Sequence, residues 1–197
     1  MSAMAGLRSA TWPCHQRLEK RLDVKARFSS LCAYRGHLEK MWGFCAGLER
    51  GIAPGAFGGA LEDYESRRKL PLLTRDLIAI GVEPESIESL PVCSSLPARS
   101  DPAAAFGCAY VLEGATLGGR TLLPLVESRL ALKAEHGAAF LASYGDRVVP
   151  MWQRFAAALE AWCSAPERRS SATHAAVATF DALERWLCGP PPSEPAA

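Results

Sequence analysis

YVLEGATLGGRTLL, residues 110–123, sets Gly114, Gly118 and Gly119 into a leucine-rich segment whose neighbours on both sides have helical periodicity. Each glycine inside a helix gives up ~1 kcal/mol relative to alanine, so a helix that accepts all three keeps its backbone bare for a reason. Two reasons fit. Gly114 and Gly118 are four apart and share a face, as small residues do where two helix backbones approach closely. Alternatively, a flat ligand lies against the bare face, and adjacent Gly118 and Gly119 permit a kink that follows it. A phosphate-cradling loop does not fit, because such loops follow a strand, and GATLGG has neither the GxGxxG order nor a Gly-Lys-Ser/Thr ending. Spacing alone leaves packing and a flat ligand equally open.

Outward from the glycines the chain reads as all-helical. Sustained period-two alternation is absent, and apolar residues recur at steps of three and four. Ser100 or Asp101, followed by Pro102, opens the glycine-bearing helix, which is expected to run, bent, to about Ala131. Upstream, Leu7, Thr11, His15, Leu18 and Leu22 line one face of a first helix, which turns His15 inward. A second helix begins at Ser29 or Ser30 and stops at Gly51, and a shorter pair covers LEDYESRRKL and PLLTRDLIAIG. Residues 82–100 are proline- and serine-rich. Beyond a short turn at HGAAFLASYG, one helix carries Val148, Met151, Trp152, Phe155, Leu159 and Trp162, and the last carries Ala176, Phe180, Leu183 and Leu187. These observations predict a single-domain, multi-helix all-α bundle over residues 1–188, with a disordered proline-rich tail at 189–197.

The bulk properties narrow the function. A net charge of +1, from 22 basic and 21 acidic residues without charge blocks, argues against nucleic acid as a partner. No apolar run approaches the ~20 residues needed to cross a bilayer, and MSAMAGLRSATWPC lacks the features of a secretory signal. A soluble, cytoplasmic protein without a membrane partner is expected. The seven cysteines show no CxxC spacing and are expected to be buried free thiols.

A planar macrocycle against the bare helix needs an anchor, and a neutral imidazole is the simplest one for heme. His15, His37, His136 and His174 compete for that role. Spacing makes His15 the best placed of the four, although an inward histidine is also compatible with an ordinary hydrogen-bonded core residue.

LRSATWPCHQRLEKRL followed much later by YVLEGATLGGRTLL resembles the heme oxygenase family, and in particular its bacterial branch associated with bacteriophytochromes. The likeness extends through AYRGHLEKMWGFCAGLE, RRKLPLLTRDLIAIG, YGDRVVPMWQRF and ATFDALERWL. The resemblance implies packed helices that hold heme between a proximal and a distal helix. His15 would be the proximal axial ligand of the iron. The helix with Gly114, Gly118, Gly119 and Thr116 would cover the distal face. Heme would be both cofactor and substrate, opened at a meso carbon with molecular oxygen and with electrons from a ferredoxin or reductase-type donor. The products would be biliverdin, carbon monoxide and ferrous iron, with a bacteriophytochrome as a candidate biliverdin acceptor. Arg8, Tyr110 and Arg154 are the candidates for the propionate side, and Phe180 for the pocket lining.

Two positions depart from the family pattern. Many heme oxygenases carry an aspartate directly after the first distal glycine, where this chain has Ala115. A water chain reaching Thr116 or Glu113 is then an alternative proton route. Pro13 stands two residues before His15 and is expected to force a new helix start capped by Thr11, which would put His15 near a helix N-terminus. Both departures also motivate a second reading, a heme carrier or sensor that does not degrade its ligand.

Overall fold

The structure, a computed structural model of the chain, describes residues 2–53, 55–99 and 101–190. Among them it forms nine α-helices and no strand: α1 (Ala3–Arg21), α2 (Val24–Arg27), α3 (Leu31–Arg50), α4 (Leu70–Ala79), α5 (Pro84–Glu88), α6 (Pro102–Leu130), α7 (Ala139–Ala142), α8 (Val148–Trp162) and α9 (Pro166–Cys188). Two 3-10 turns, Tyr64–Arg67 and Gly145–Arg147, complete the order. Apart from Gly189 and Pro190, the proline-rich tail lies outside the described residues.

Local chemistry places the main boundaries. The Ser30 hydroxyl accepts from the Ala33 amide and opens α3, and Gly51 caps its end. Asp101 accepts from the Ala104 amide at 3.0 Å and opens α6, with Pro102 in its first turn. That helix runs unbroken through Gly114, Gly118 and Gly119 and ends at Ala131, which adopts φ 56.

The expected break at Pro13 does not occur. Ser2 caps α1, and the helix continues through Pro13 to Arg21. Thr11 is not a cap: it lies mid-helix, buried, and its hydroxyl donates to the Leu7 carbonyl at 2.8 Å. An interior proline removes one helical hydrogen bond and crowds the carbonyl four residues earlier, at a cost of ~3 kcal/mol. Here Pro13 and Ser9 are both exposed, so water can satisfy the freed Ser9 carbonyl while α1 packs along α9. His15 therefore sits in the C-terminal half of a long helix, away from any N-terminal dipole.

The core is organised around α9, which carries both α1 and α6. A Cβ on Gly107 would collide with the Ala172 carbonyl, so that glycine lets α6 cross α9 closely. Arg17 and Arg21 donate to the Glu184 carboxylate at 2.9 and 2.8 Å and lock the second half of α1 to α9. Burial pushes Glu184 up, but these guanidinium contacts outweigh it and hold the carboxyl below its usual range.

Two segments are more structured than composition suggests. The proline- and serine-rich stretch contains α5, and its backbone lies against α3 where a Cβ on Gly43 or Gly47 would strike the Pro91 or Cys93 carbonyl. HGAAFLASYG forms α7, whose first amides, Ala139 and Phe140, donate to buried Asp76 at 2.8 and 2.7 Å. LEDYESRRKL, by contrast, yields only a 3-10 turn, because Arg67 turns inward as a buried ion-pair partner. All seven cysteines are free; five are buried, Cys32 is exposed and Cys188 half-buried.

His37 is buried on α3 against Phe28, and its Nδ1 makes no hydrogen bond among the described residues. Burial, with the nearby Arg27 charge, pushes it down to about 3. Its pKa is thus lower folded than unfolded, where it titrates near ~6.5. As pH falls from 6.5 toward 3 the unfolded chain binds the proton first, and stability drops by up to ~1.4 kcal/mol per pH unit. His37→Leu is expected to remove this slope, so that urea midpoints at pH 7 and pH 4.5 lie closer together than in the parent chain.

Candidate functional site

α1 and α6 both pack along α9 and make little contact with one another. His15 stands on the α1 side. Its side chain is 45% exposed, but Nδ1 is buried, so the accessible part of the ring is the side that presents Nε2. Glu19 Oε2, one turn on, approaches Nδ1 at 3.4 Å without the alignment of a hydrogen bond. Trp12 stacks beside the imidazole with ring centroids 5.8 Å apart, and Phe180 of α9 meets it edge-on at 6.1 Å.

The glycines of α6 divide by direction. A Cβ on Gly118 would meet nothing within 4 Å, and the residue is exposed together with Ala115 and Leu117. A Cβ on Gly114 would only reach the Trp152 ring at 4.0 Å. Gly119 is buried, and its Cβ would lie 2.5 Å from the Leu141 carbonyl of α7. Close packing therefore accounts for Gly119, while Gly114 and Gly118 leave a bare helix surface.

A buried charged cluster fixes α6 one residue before that surface. The Glu113 carboxylate accepts from Arg67 (2.7 Å), Lys69 (2.7 Å) and the Tyr144 hydroxyl (2.6 Å). Glu113, Arg67 and Lys69 are all buried, so each charge is compensated inside the protein. Burial lowers the Lys69 ammonium, and the Glu113 charge offsets part of that shift. The Thr116 hydroxyl donates to the Glu113 carbonyl at 2.7 Å, so Thr116 faces this core rather than the bare surface.

The remaining residues singled out in the sequence are distributed as follows. Tyr110 is buried one turn before Gly114, with its ring 5.7 Å from Trp152. Arg8 is exposed two turns before His15. Arg154 is 67% exposed and pairs with Asp63 at 3.2 Å, beside the Arg67 cluster. Of the other histidines, His37 is buried in α3, whereas His136 lies exposed in the turn before α7 and His174 exposed on α9. Sequence reading missed Trp12 and the Glu19 approach, although their i,i+3 and i,i+4 spacing to His15 carries that signal. The Arg67, Lys69 and Tyr144 partners of Glu113 come from distant segments and leave no local trace.

A separate open groove is lined by Arg21, Arg27, Lys40, Leu187 and Cys188. Its cations are already engaged. Arg21 donates to the carbonyls of Cys188, Gly189 and Pro190, Arg27 to that of Leu187 at 2.7 Å, and Lys40 to Leu187 at 3.3 Å. They satisfy the last carbonyls of α9, which makes the groove a helix terminus rather than a ligand site.

The fold described above is shared with known proteins. The solved NO- and CO-bound heme oxygenase from Neisseria meningitidis superposes with a TM-score of 0.79 at 22% identity, covering 98% of this chain and 96% of that one. The heme oxygenase from Leptospira interrogans gives 0.75 at 17% identity, with 95% and 99% covered. A curated relative named heme oxygenase, from Xanthomonas campestris pv. campestris (strain 8004), is 32% identical over 121 residues, 59% of this chain. The match spans 66% of that relative's length. A heme oxygenase family model matches residues 1–188, so the chain belongs to the heme oxygenase family.

Proposed function

We propose that this chain degrades heme, opening the macrocycle at a meso carbon to give biliverdin, carbon monoxide and ferrous iron. The observations that carry the reading are His15, accessible on its Nε2 side, and the bare α6 surface at Gly114 and Gly118, on two helices that both pack along α9. Heme fits these residues: the imidazole offers the nitrogen that iron takes, and the glycines leave the space a flat ring requires. When bound, heme supplies both the oxygen-activating iron and the carbon that is oxidised.

The chain supplies position and shape. His15 would hold the iron through Nε2, the nitrogen left accessible, with the neutral imidazole that coordination requires. Phe180 and Trp12 flank the imidazole, and Phe180 forms part of the proximal wall. Gly114 and Gly118 would let a flat macrocycle approach the α6 backbone, since no side chain of their own and no close neighbour fills that surface. Gly119 holds that turn against α7, and Thr116 and Glu113 hold the same turn from the core side. Ala115 carries no titratable group, so proton delivery on that side would have to come through water ordered by backbone groups of α6. Arg8 is the proposed propionate partner on α1. Tyr110 shapes the α6 wall, and Arg154 contributes from the rim only if it leaves Asp63. Oxygen and a ferredoxin or reductase-type donor complete the reaction, and a bacteriophytochrome is one proposed consumer of the product.

Ala115 favours a second reading, heme carriage without degradation. One assay separates them. The hemin complex is supplied with a ferredoxin system in air and followed by absorption. Loss of the Soret band with growth of biliverdin absorption is expected. A persistent Soret band would leave the carrier reading in place.

A further inference from the structure

We propose that residues 137–144, which comprise α7 and the chain on either side of it, form a fixed backstop that sets how closely α6 stands to a bound macrocycle, with Tyr144 as its positioning residue. The inference rests on the reading of α6 as a wall of the heme site and deepens it.

A helix bared on one face has to be located from the other. Gly114, Ala115, Leu117 and Gly118 make the open side of α6: three of the four are exposed, and a Cβ on either glycine would meet no neighbouring atom closer than 4.0 Å. Glu113, Thr116 and Gly119, spaced three apart, form the buried stripe. Two of these three rest on the same short segment. The Tyr144 hydroxyl donates to Glu113 at 2.6 Å, and the Leu141 carbonyl stands 2.5 Å from where a Cβ on Gly119 would be. The segment thus grips α6 immediately before and immediately after the bare turn.

The segment is itself tied down from behind. Buried Tyr34 of α3 donates to the Gly137 carbonyl at 3.0 Å, and buried Asp76 of α4 accepts from the Ala139 and Phe140 amides. Lys69 braces the other end: its ammonium donates to the Tyr144 oxygen at 2.6 Å and stands 4.3 Å from the centre of that ring. Between the two grips on α6, Ser143 holds φ 48 and ψ −110, a conformation that side-chain-bearing residues rarely adopt. Such a residue persists only where its surroundings over-determine it, so this end of α7 is fixed rather than yielding. Burial and the Glu113 charge push the Tyr144 hydroxyl up, which keeps it a donor to that carboxylate.

Amide hydrogen exchange on the heme-free, full-length chain reads the grip, and the C–O stretch of the ferrous carbonyl complex reads the space between α6 and the ring. Tyr144→Phe keeps the aromatic ring and removes the hydroxyl. Exchange at residues 113–119 is expected to quicken about tenfold, the scale of one buried hydrogen bond to a charged group, while α9 keeps its parental rates. The carbonyl band of this variant is expected to shift or broaden, a change that a contact serving stability alone would not produce. Asp76→Asn, which loosens α7 from α4, is expected to act in the same direction and carries the test if Tyr144→Phe does not fold. Parental exchange at residues 113–119, an equal quickening throughout α9, or faster exchange with a parental carbonyl band overturns the proposal and leaves heme binding standing. A parent chain that forms no hemin complex overturns the underlying reading instead.

Discussion

His15→Ala is expected to abolish the histidine-ligated ferrous heme spectrum and to lower heme turnover by at least about 100-fold. Loss of a partner that merely supports a metal ligand costs ~10- to 100-fold, and removing the ligand itself reaches or exceeds the upper end. The alternative ligands are poorly placed. His37 could reach iron only if α3 opened, because it is buried against Phe28. His136 and His174 are both solvent-exposed, on the turn before α7 and on α9. Misfolding is an unsuitable explanation for such a loss, since the His15 side chain is nearly half exposed and its removal leaves the contacts of α1 with α9 at Arg17 and Arg21 intact. Added imidazole should enter the space left by the side chain and restore the five-coordinate spectrum. A spectrum unchanged in the variant, read by absorption and resonance Raman, contradicts the assignment.

Gly118→Leu is expected to separate stability from function in the opposite sense to most core substitutions. No atom stands within 4 Å of the new Cβ, and leucine has the better helix propensity by ~0.8 kcal/mol. The heme-free variant should therefore unfold at the same or a slightly higher temperature. With heme bound, the isobutyl group occupies the distal headroom, and turnover should fall by about 100-fold or more, the scale of a misplaced or obstructed reacting group. Gly119→Ala supplies the contrast. Its methyl would lie 2.5 Å from the Leu141 carbonyl, a backbone atom that cannot swing away, so the expected loss is ~1–3 kcal/mol of folding stability. Calorimetry of the heme-free variants beside single-turnover absorption measures both effects. Full turnover in Gly118→Leu would contradict the distal role of that surface.

These glycines also show how far a sequence of this kind can be read. GATLGG announces a helix with an uncovered backbone, but Gly118 and Gly119 are neighbours in sequence separated by about 100° around the helix. One faces open space and the other a carbonyl of α7, and only the position of α7 distinguishes them. Capping chemistry was legible for the opposite reason: Ser30, Gly51, Asp101 and Pro102 act within one turn of where they stand. Pro13 misled because its helix-breaking effect is a local cost, and the packing of α1 on α9, together with water access to Ser9, is a tertiary remedy. The Glu113 cluster was illegible for the same reason. Its partners Arg67, Lys69 and Tyr144 are drawn from 31 to 46 residues away, and no spacing rule joins them.

His15 and the α6 glycines were each legible because each signal is local, and the family resemblance joined them across nearly a hundred residues. The structure adds direction to both signals: Nε2 on the open side of the imidazole, and Gly114 and Gly118, but not Gly119, on the open side of α6.

The most direct measurement is a crystal structure of the chain grown with hemin. The account predicts iron bonded to Nε2 of His15, with one face of the macrocycle toward Trp12 and Phe180 and the other against the backbone at Gly114 and Gly118. Iron bonded to His37, His136 or His174, or a macrocycle seated away from the α6 glycines, would contradict it.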